Sequence, residues 1–201
     1  ITTKLWNADQ GYSTAIKAFE KSMQKLDTDY IDLYLIHWPV KGKYKDSWRA
    51  LETIYHSGKA KAIGVSNFLV HHLQDLVREF DIVPMVNQVE FHPRLVQPDL
   101  LEFCQLNGIQ FESWSPLMRG RIFAIPELTD LALKYRHTVS QLVLRWNIQH
   151  NVAVIPKSVN QSRIIENSGI FDFEISPEDM ALIDSLDQDK RIGPDPDNFN
   201  F

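Results

Sequence analysis

Residues 30–39 read YIDLYLIHWP, an apolar run that ends in an imidazole, an indole and a proline. Alternation along an extended chain puts Leu33, Leu35 and His37 on the same side, and Pro39 then turns the chain away. The spacing predicts a β-strand that leaves a sheet at His37, where a polar side chain closes an otherwise buried run. Similar short runs recur along the chain: ITTKLW at 1–6, AKAIGVS at 60–66, PMVNQVEF at 84–91, IQFESWS at 109–115 and VAVIPKS at 152–158. Segments of helical period separate them. Ala15, Ile16, Phe19, Met23 and Leu26 make one stripe; Trp48, Leu51 and Tyr55 make another. Leu69, Leu73, Leu76 and Val77 continue the pattern, as do Leu100, Leu101, Cys104 and Leu106. Gly58 and Gly169 stand where helix C-caps belong. Ser176-Pro177-Glu178-Asp179 has the capping serine, first-turn proline and acid of a helix start.

Strand–helix alternation predicts parallel strands, hence a doubly wound sheet or a (β/α) barrel. The glycines stand at 11, 42, 58, 64, 108, 120, 169 and 193. No two are separated by one residue, so the GxGxxG turn of a dinucleotide-binding doubly wound sheet is missing. Polar groups collect instead at the ends of successive runs: Lys4, His37, Ser66-Asn67, Gln88, Ser115 and Lys157-Ser158. In a (β/α)8 barrel all such ends open on one mouth. The barrel is the expected fold.

Composition narrows the class. The chain has 201 residues, 44% hydrophobic and 23% charged, with a net charge of −5. That is ordinary globular composition, and mild acidity argues against coating nucleic acid or an anionic membrane. No run approaches a membrane span, and no basic segment followed by an apolar one opens the chain. Cys104 is the only cysteine, so no intrachain disulfide forms and a reducing, cytoplasmic setting is expected. Its apolar, helical neighbourhood reads as a buried structural thiol.

Each strand end has a bland reading and a chemical one. A single histidine is more often a satisfied or surface residue, but a neutral imidazole at His37 could donate to a carbonyl oxygen. Lys4 alone would pass for a snorkelling surface lysine; at a strand end its charge could lower the pKa of a neighbouring phenol. Asn67 and Gln88 each offer a donor and an acceptor, which suits a ligand amide. IPKSVNQSRIIEN at 155–167 places Lys157 and Ser158 at a strand exit, Asn160 as a cap and Arg163 in the first helical turns, a phosphate-site pattern. His71, His72 and His92 lack metal-ligand spacing, because adjacent helical residues point apart. No metal is assigned.

Taken together, TKLWN, DLYLIHWP, GKAKAIGVSNF, VNQVEFHP, SWSPL, IPKSVNQSRIIEN and the tail GPDPDNFNF resemble the aldo-keto reductases, NADP-dependent (β/α)8 carbonyl reductases. They cover the whole chain in family order, and the tail is most similar to the bacterial branch with 2,5-diketogluconate and glyoxal or methylglyoxal reductases. The resemblance implies Lys4 and His37 as catalytic residues. It implies Ser66, Asn67 and Gln88 on the nicotinamide carboxamide, Trp114 stacked on the pyridine ring, and Ser115 and Leu117 among the cofactor contacts. Lys157, Ser158 and Arg163 would hold the 2′-phosphate, and Glu166 and Asn167 the adenine end. Trp6 and Trp38 would wall the substrate pocket, with the tail as a lid. NADPH is the implied cofactor and a small carbonyl compound the implied substrate, with broad specificity; a monomer without nucleic-acid or membrane partners is expected.

By the same resemblance the chain begins at the third strand, so residues 1–201 would be one barrel domain holding strands three to eight and a C-terminal loop at 190–201. The family's tyrosine and aspartate would lie upstream, because Tyr12, Tyr30, Tyr34, Tyr44, Tyr55 and Tyr135 sit in the wrong motifs. A six-stranded piece would expose two parallel edges, so reduction is expected of a longer parent. Two rivals stand beside this reading: a non-catalytic NADPH-binding protein of the same fold, and an unrelated sugar-phosphate barrel using Lys157 for substrate phosphate.

Overall fold

A computed structural model describes residues 1–199 and 201. Six strands run parallel in one sheet and follow the chain order β1 to β6. They are β1 (Thr2–Leu5), β2 (Ile31–Ile36), β3 (Ala60–Ser66), β4 (Val86–Glu90), β5 (Gln110–Trp114) and β6 (Ala153–Val154). Helices α1 (Tyr12–Leu26), α2 (Tyr44–His56), α3 (Val70–Glu79) and α4 (Pro98–Leu106) fill the first four connections. Between β5 and β6 lie α5 (Pro126–Tyr135) and α6 (Val139–Gln149); α7 (Gln161–Ser168) and α8 (Pro177–Asp184) follow β6. A doubly wound sheet reverses its strand order at a switch point. The order here never reverses, and it is the pattern of six consecutive units of a (β/α)8 barrel.

The chain packs as two units, residues 1–88 with 99–110 and 194–201, and residues 89–98 with 111–193. In the first, Phe19 of α1 meets the buried Tyr34 ring edge-on with centroids 4.9 Å apart. Trp48 and Leu51 of α2 are sealed from solvent; the next buried position of that stripe is Ile54, not the half-exposed Tyr55. Leu106 is also outside the core at 79% exposure, because α4 ends on it. Cys104 is fully buried, and burial pushes its thiol up to about 12. Gly64 pairs with Leu35, and a Cβ there would stand 2.5 Å from the Val86 carbonyl oxygen and 2.9 Å from Leu35 Cδ2. Only glycine lets β3 and the start of β4 approach this closely.

The second unit is built on a stack. Phe91 lies parallel to Trp146 at 4.8 Å, and Phe111 meets Phe91 edge-on at 5.3 Å. The Trp146 indole N–H donates to Asp184 Oδ1 at 2.7 Å, so a large buried ring keeps its polar atom satisfied. Helix caps follow the sequence: Ser176 Oγ accepts the Asp179 N–H, and the Asn160 side chain accepts from Ser162 N and Arg163 N. Gly58 follows α2 with φ +76°, whereas Gly169 caps α7 at φ −83° and ψ 65°, without the positive φ that favours glycine.

Candidate active site

In the first unit, four strand ends are tied together by hydrogen bonds. Lys4 lies beside Leu35 in register, and the next residue's carbonyl, Leu5, accepts the His37 N–H at 3.1 Å. The His37 carbonyl accepts from Asn67 Nδ2 at 3.0 Å. Asn67 adopts a left-handed backbone (φ +63°), a conformation that asparagine tolerates better than most residues. The Gln88 carbonyl accepts both the Asn67 N–H at 2.9 Å and the Ser66 hydroxyl at 2.8 Å. Ser66, Asn67 and Gln88 are buried, while Lys4 and His37 are half-buried. Lys4, His37, Ser66, Asn67 and Gln88 therefore belong to one connected group of strand ends.

Electrostatics follow from that placement. Burial, and then the Lys4 ammonium, push the His37 imidazole down to about 4, so it is neutral at pH 7. The sign for stability is definite. The folded value lies below the ordinary value of about 6.5, so between those two pH values the unfolded chain binds more protons. Stability should fall as pH drops from about 6.5 toward 4, and H37Q should flatten that slope. Urea midpoints across this window check it; equal slopes in both proteins would show that His37 does not titrate low.

Tyr34 is the tyrosine closest in register to Lys4, and the two line one cavity of about 440 Å³ with Asp9 and Lys21. Burial and the Asp9 carboxylate push its phenol upward, the opposite of what a proton donor at neutral pH needs. Its hydroxyl is buried without a partner.

Aromatic rings surround His37. Trp6 meets it edge-on at 5.1 Å, and Trp38 lies 6.3 Å away. Trp38 in turn packs on Phe199 at 5.1 Å and Phe201 at 5.3 Å, and Trp6 stacks on Phe201 at 6.1 Å. Asn7 Nδ2 donates to the Phe201 carbonyl and Gln10 Nε2 to the Trp38 carbonyl, which fixes tail and wall. Sequence reading named Trp6, Trp38 and the tail but missed Phe199, Phe201, Asn7 and Gln10; the alternating NFNF ending was the available signal.

The second unit holds the other group. A cavity of about 580 Å³ is lined by Ser115, Leu117, Lys157, Ser158, Arg163, Glu166 and Asn167. Arg119, which sequence reading missed, joins them from a left-handed turn at φ +54°. Three cations thus face one carboxylate. That carboxylate, Glu166, is engaged by the Thr138 hydroxyl at 2.7 Å. Because Asn160 occupies two N–H groups at the start of α7, an anion here would be held by side chains more than by the helix terminus. The donor set fits the phosphates of NADP(H). Trp114 is half-buried and lies outside this lining, against Gly193.

The structure brings His71, His72 and Asp197 together. Both Nε2 atoms approach Asp197 Oδ1, at 3.0 and 3.4 Å, and the imidazole centroids are 3.9 Å apart. The expectation that these two rings point apart is corrected here: α3 begins at Val70, and the tail carboxylate gathers both. His72 Nδ1 accepts the Leu69 N–H at 3.2 Å, which leaves the ring proton on Nε2 facing Asp197. A hydrogen-bonded clasp of the tail explains the cluster without an ion.

Among the described residues no helix is long and apolar enough to cross a membrane. Residues 1–188 match the Aldo/keto reductase family. Glyoxal reductase from Bacillus subtilis (strain 168) is 58% identical over 201 residues, covering all of this chain and 73% of that protein. The uncharacterized oxidoreductase YtbE of the same strain is 57% identical, covering all of this chain and 72% of that protein. A crystal structure of a Gox0644 variant in complex with NADPH superposes with a TM-score of 0.95 at 43% identity, covering 100% of this chain and 75% of that one. The chain belongs to the aldo/keto reductase family, and with it to the NADP-dependent oxidoreductases that act on carbonyl compounds.

Proposed function

We propose that this chain is the site-bearing part, strands three to eight, of a single barrel domain that reduces aldehydes and activated ketones with NADPH. The observation that carries the reading is the neutral His37 imidazole beside the Lys4 ammonium at adjoining strand ends. NADPH, when bound, supplies the hydride. His37 donates a hydrogen bond to the carbonyl oxygen; staying neutral, it orients the substrate without delivering its own proton. Lys4 stabilises negative charge that develops on that oxygen and lowers the pKa of the phenol that the family resemblance puts beside it. Ser66, Asn67 and Gln88 orient the nicotinamide carboxamide, and Trp114 offers the pyridine ring an aromatic face. Lys157, Ser158, Arg163 and Arg119 hold phosphate oxygens, while Glu166 and Asn167 meet the adenine end; Ser115 and Leu117 complete that wall.

Specificity is broad in this reading because the substrate side is made of rings. Trp6, Trp38, Phe199 and Phe201 offer chiefly apolar area, with only the two indole N–H groups as directed donors, so a small dicarbonyl and an aromatic aldehyde are both accepted. An apolar pocket discriminates by roughly 1–3 kcal/mol per methylene, which is a weak filter. The net charge of −5 suits small-molecule chemistry without nucleic acid, and the unit of function in this reading is the monomer. A panel of glyoxal, methylglyoxal and a substituted benzaldehyde, followed by NADPH absorbance, tests it. Turnover of all three within about a hundredfold in kcat/KM is expected. Turnover of none would leave a binding protein, and turnover of one alone would remove the broad specificity.

A further inference from the structure

We propose that Glu90 is a positioning residue that fixes the Trp114 indole, acting through the backbone of Ile192 and Gly193. The inference rests on the reading that Trp114 faces the pyridine ring, although its physical core does not.

Glu90 is 1% exposed. A buried carboxylate is costly unless every lone pair finds a donor. Here three donors converge: His92 Nε2 at 2.9 Å and the Ile192 N–H at 2.6 Å on Oε1, and the Gly193 N–H at 3.0 Å on Oε2. Burial pushes the carboxyl up, but these bonds outweigh it and hold Glu90 below the usual carboxylate range. His92 Nδ1 accepts the Arg94 N–H at 3.3 Å, which puts the ring proton on Nε2, where it is donated to Glu90. Two successive backbone N–H groups on one carboxylate leave the dipeptide no freedom to slide.

What that dipeptide touches is the indole. A Cβ at Gly193 would lie 2.4 Å from Trp114 Cη2 and 3.3 Å from Cζ3. The residue does not have the positive φ that would call for glycine by itself, so the close approach is the reason for it. Ser115, directly after Trp114, leaves the strand in a left-handed conformation at φ +54°, so pairing no longer governs the chain there. The tail root constrains the ring there. The clasp is reinforced nearby: Gln97 Nε2 donates to the Glu90 carbonyl at 2.6 Å, Arg191 Nη2 to Gln97 Oε1 at 2.9 Å, and the Lys190 N–H to the Arg94 carbonyl at 2.9 Å. These bonds hold the tail root and leave Glu90 to set its height over the ring.

The test reads the ring directly. Protein labelled with 5-fluorotryptophan gives a fluorine resonance for Trp114, assigned by its loss in W114F. E90Q presents an amide N–H₂ to at least one of the three donors, and G193A keeps the carboxylate's charge while its Cβ presses chiefly on the indole, at 2.4 Å, and less closely on Glu90 Oε2, at 3.1 Å. Both should shift or broaden the Trp114 resonance and leave that of Trp48 unchanged. A Trp114 resonance unmoved in folded E90Q and in G193A would overturn the proposal. If E90Q fails to fold, E90D, which keeps the charge but draws the two oxygens back by one methylene, takes its place. NADPH affinity separates this inference from the reading beneath it. G193A should weaken NADPH by about threefold to tenfold in the native background, and by less than about twofold in W114A. Should W114A bind NADPH as tightly as the native protein, the pyridine-facing assignment fails, while a resonance shifted in the Glu90 variant still supports Glu90 as the residue that positions the ring.

Discussion

Lys4→Met should cut kcat/KM for a small dicarbonyl by about three orders of magnitude, within the range of a lost acid–base group, and leave the NADPH dissociation constant within about twofold. The argument is electrostatic. Lys4 is close enough to His37 for its charge to help keep that imidazole neutral, so the two groups share one small field. In the proposed reaction, removing the ammonium would take away the cation that meets the growing alkoxide and the charge that lowers the pKa of a neighbouring phenol. Methionine keeps the length and the apolar stem, so β1 and its register with β2 should persist. Steady-state rates combined with tryptophan quenching by NADPH make the measurement. Near-native turnover would remove Lys4 from the chemistry, and a parallel loss of NADPH affinity would move it to the cofactor.

Lys157→Ala should weaken NADPH by about tenfold to a hundredfold and change NADH by less than about twofold, because a charge-assisted contact is worth about 1.5–3 kcal/mol. The cavity that Lys157 lines has two further cations, Arg119 and Arg163, and its one carboxylate is already engaged by Thr138. A 2′-phosphate is the part of the ligand that distinguishes the two cofactors, so selectivity is the diagnostic. Isothermal titration with each nucleotide, at two salt concentrations, reads it. Equal weakening of both would place Lys157 on the shared pyrophosphate instead.

Most of the scaffold is legible in the chain, for a definite reason. Buried parallel strands demand short apolar runs, and polar residues that recur at the end of run after run are more than the bland reading of any one of them explains. That is why Lys4, His37, Asn67 and Gln88 stand out locally. What escapes is whatever depends on partners far along the chain. Glu90 looks like an ordinary charge in VNQVEF; nothing near it announces two backbone donors about a hundred residues later. Phe199 and Phe201 alternate in a tail that belongs to no strand or helix, so the alternation does not say that they pack on Trp38. Arg119 is hidden by its turn, because only a left-handed backbone brings it to the cavity wall. The His71–His72 pair misled the helical argument because a carboxylate from the tail, not α3 alone, decides where those rings point.

Cys104 has a practical consequence. It is the only sulfhydryl in the sequence, sealed inside α4's core face and held far from its ionised form at neutral pH. Maleimides and peroxide attack the ionised, accessible form, so the native chain is a blank background for site-directed labelling. A single cysteine introduced on the tail, at Asn198 for example, would carry a spin label or a dye without first deleting anything.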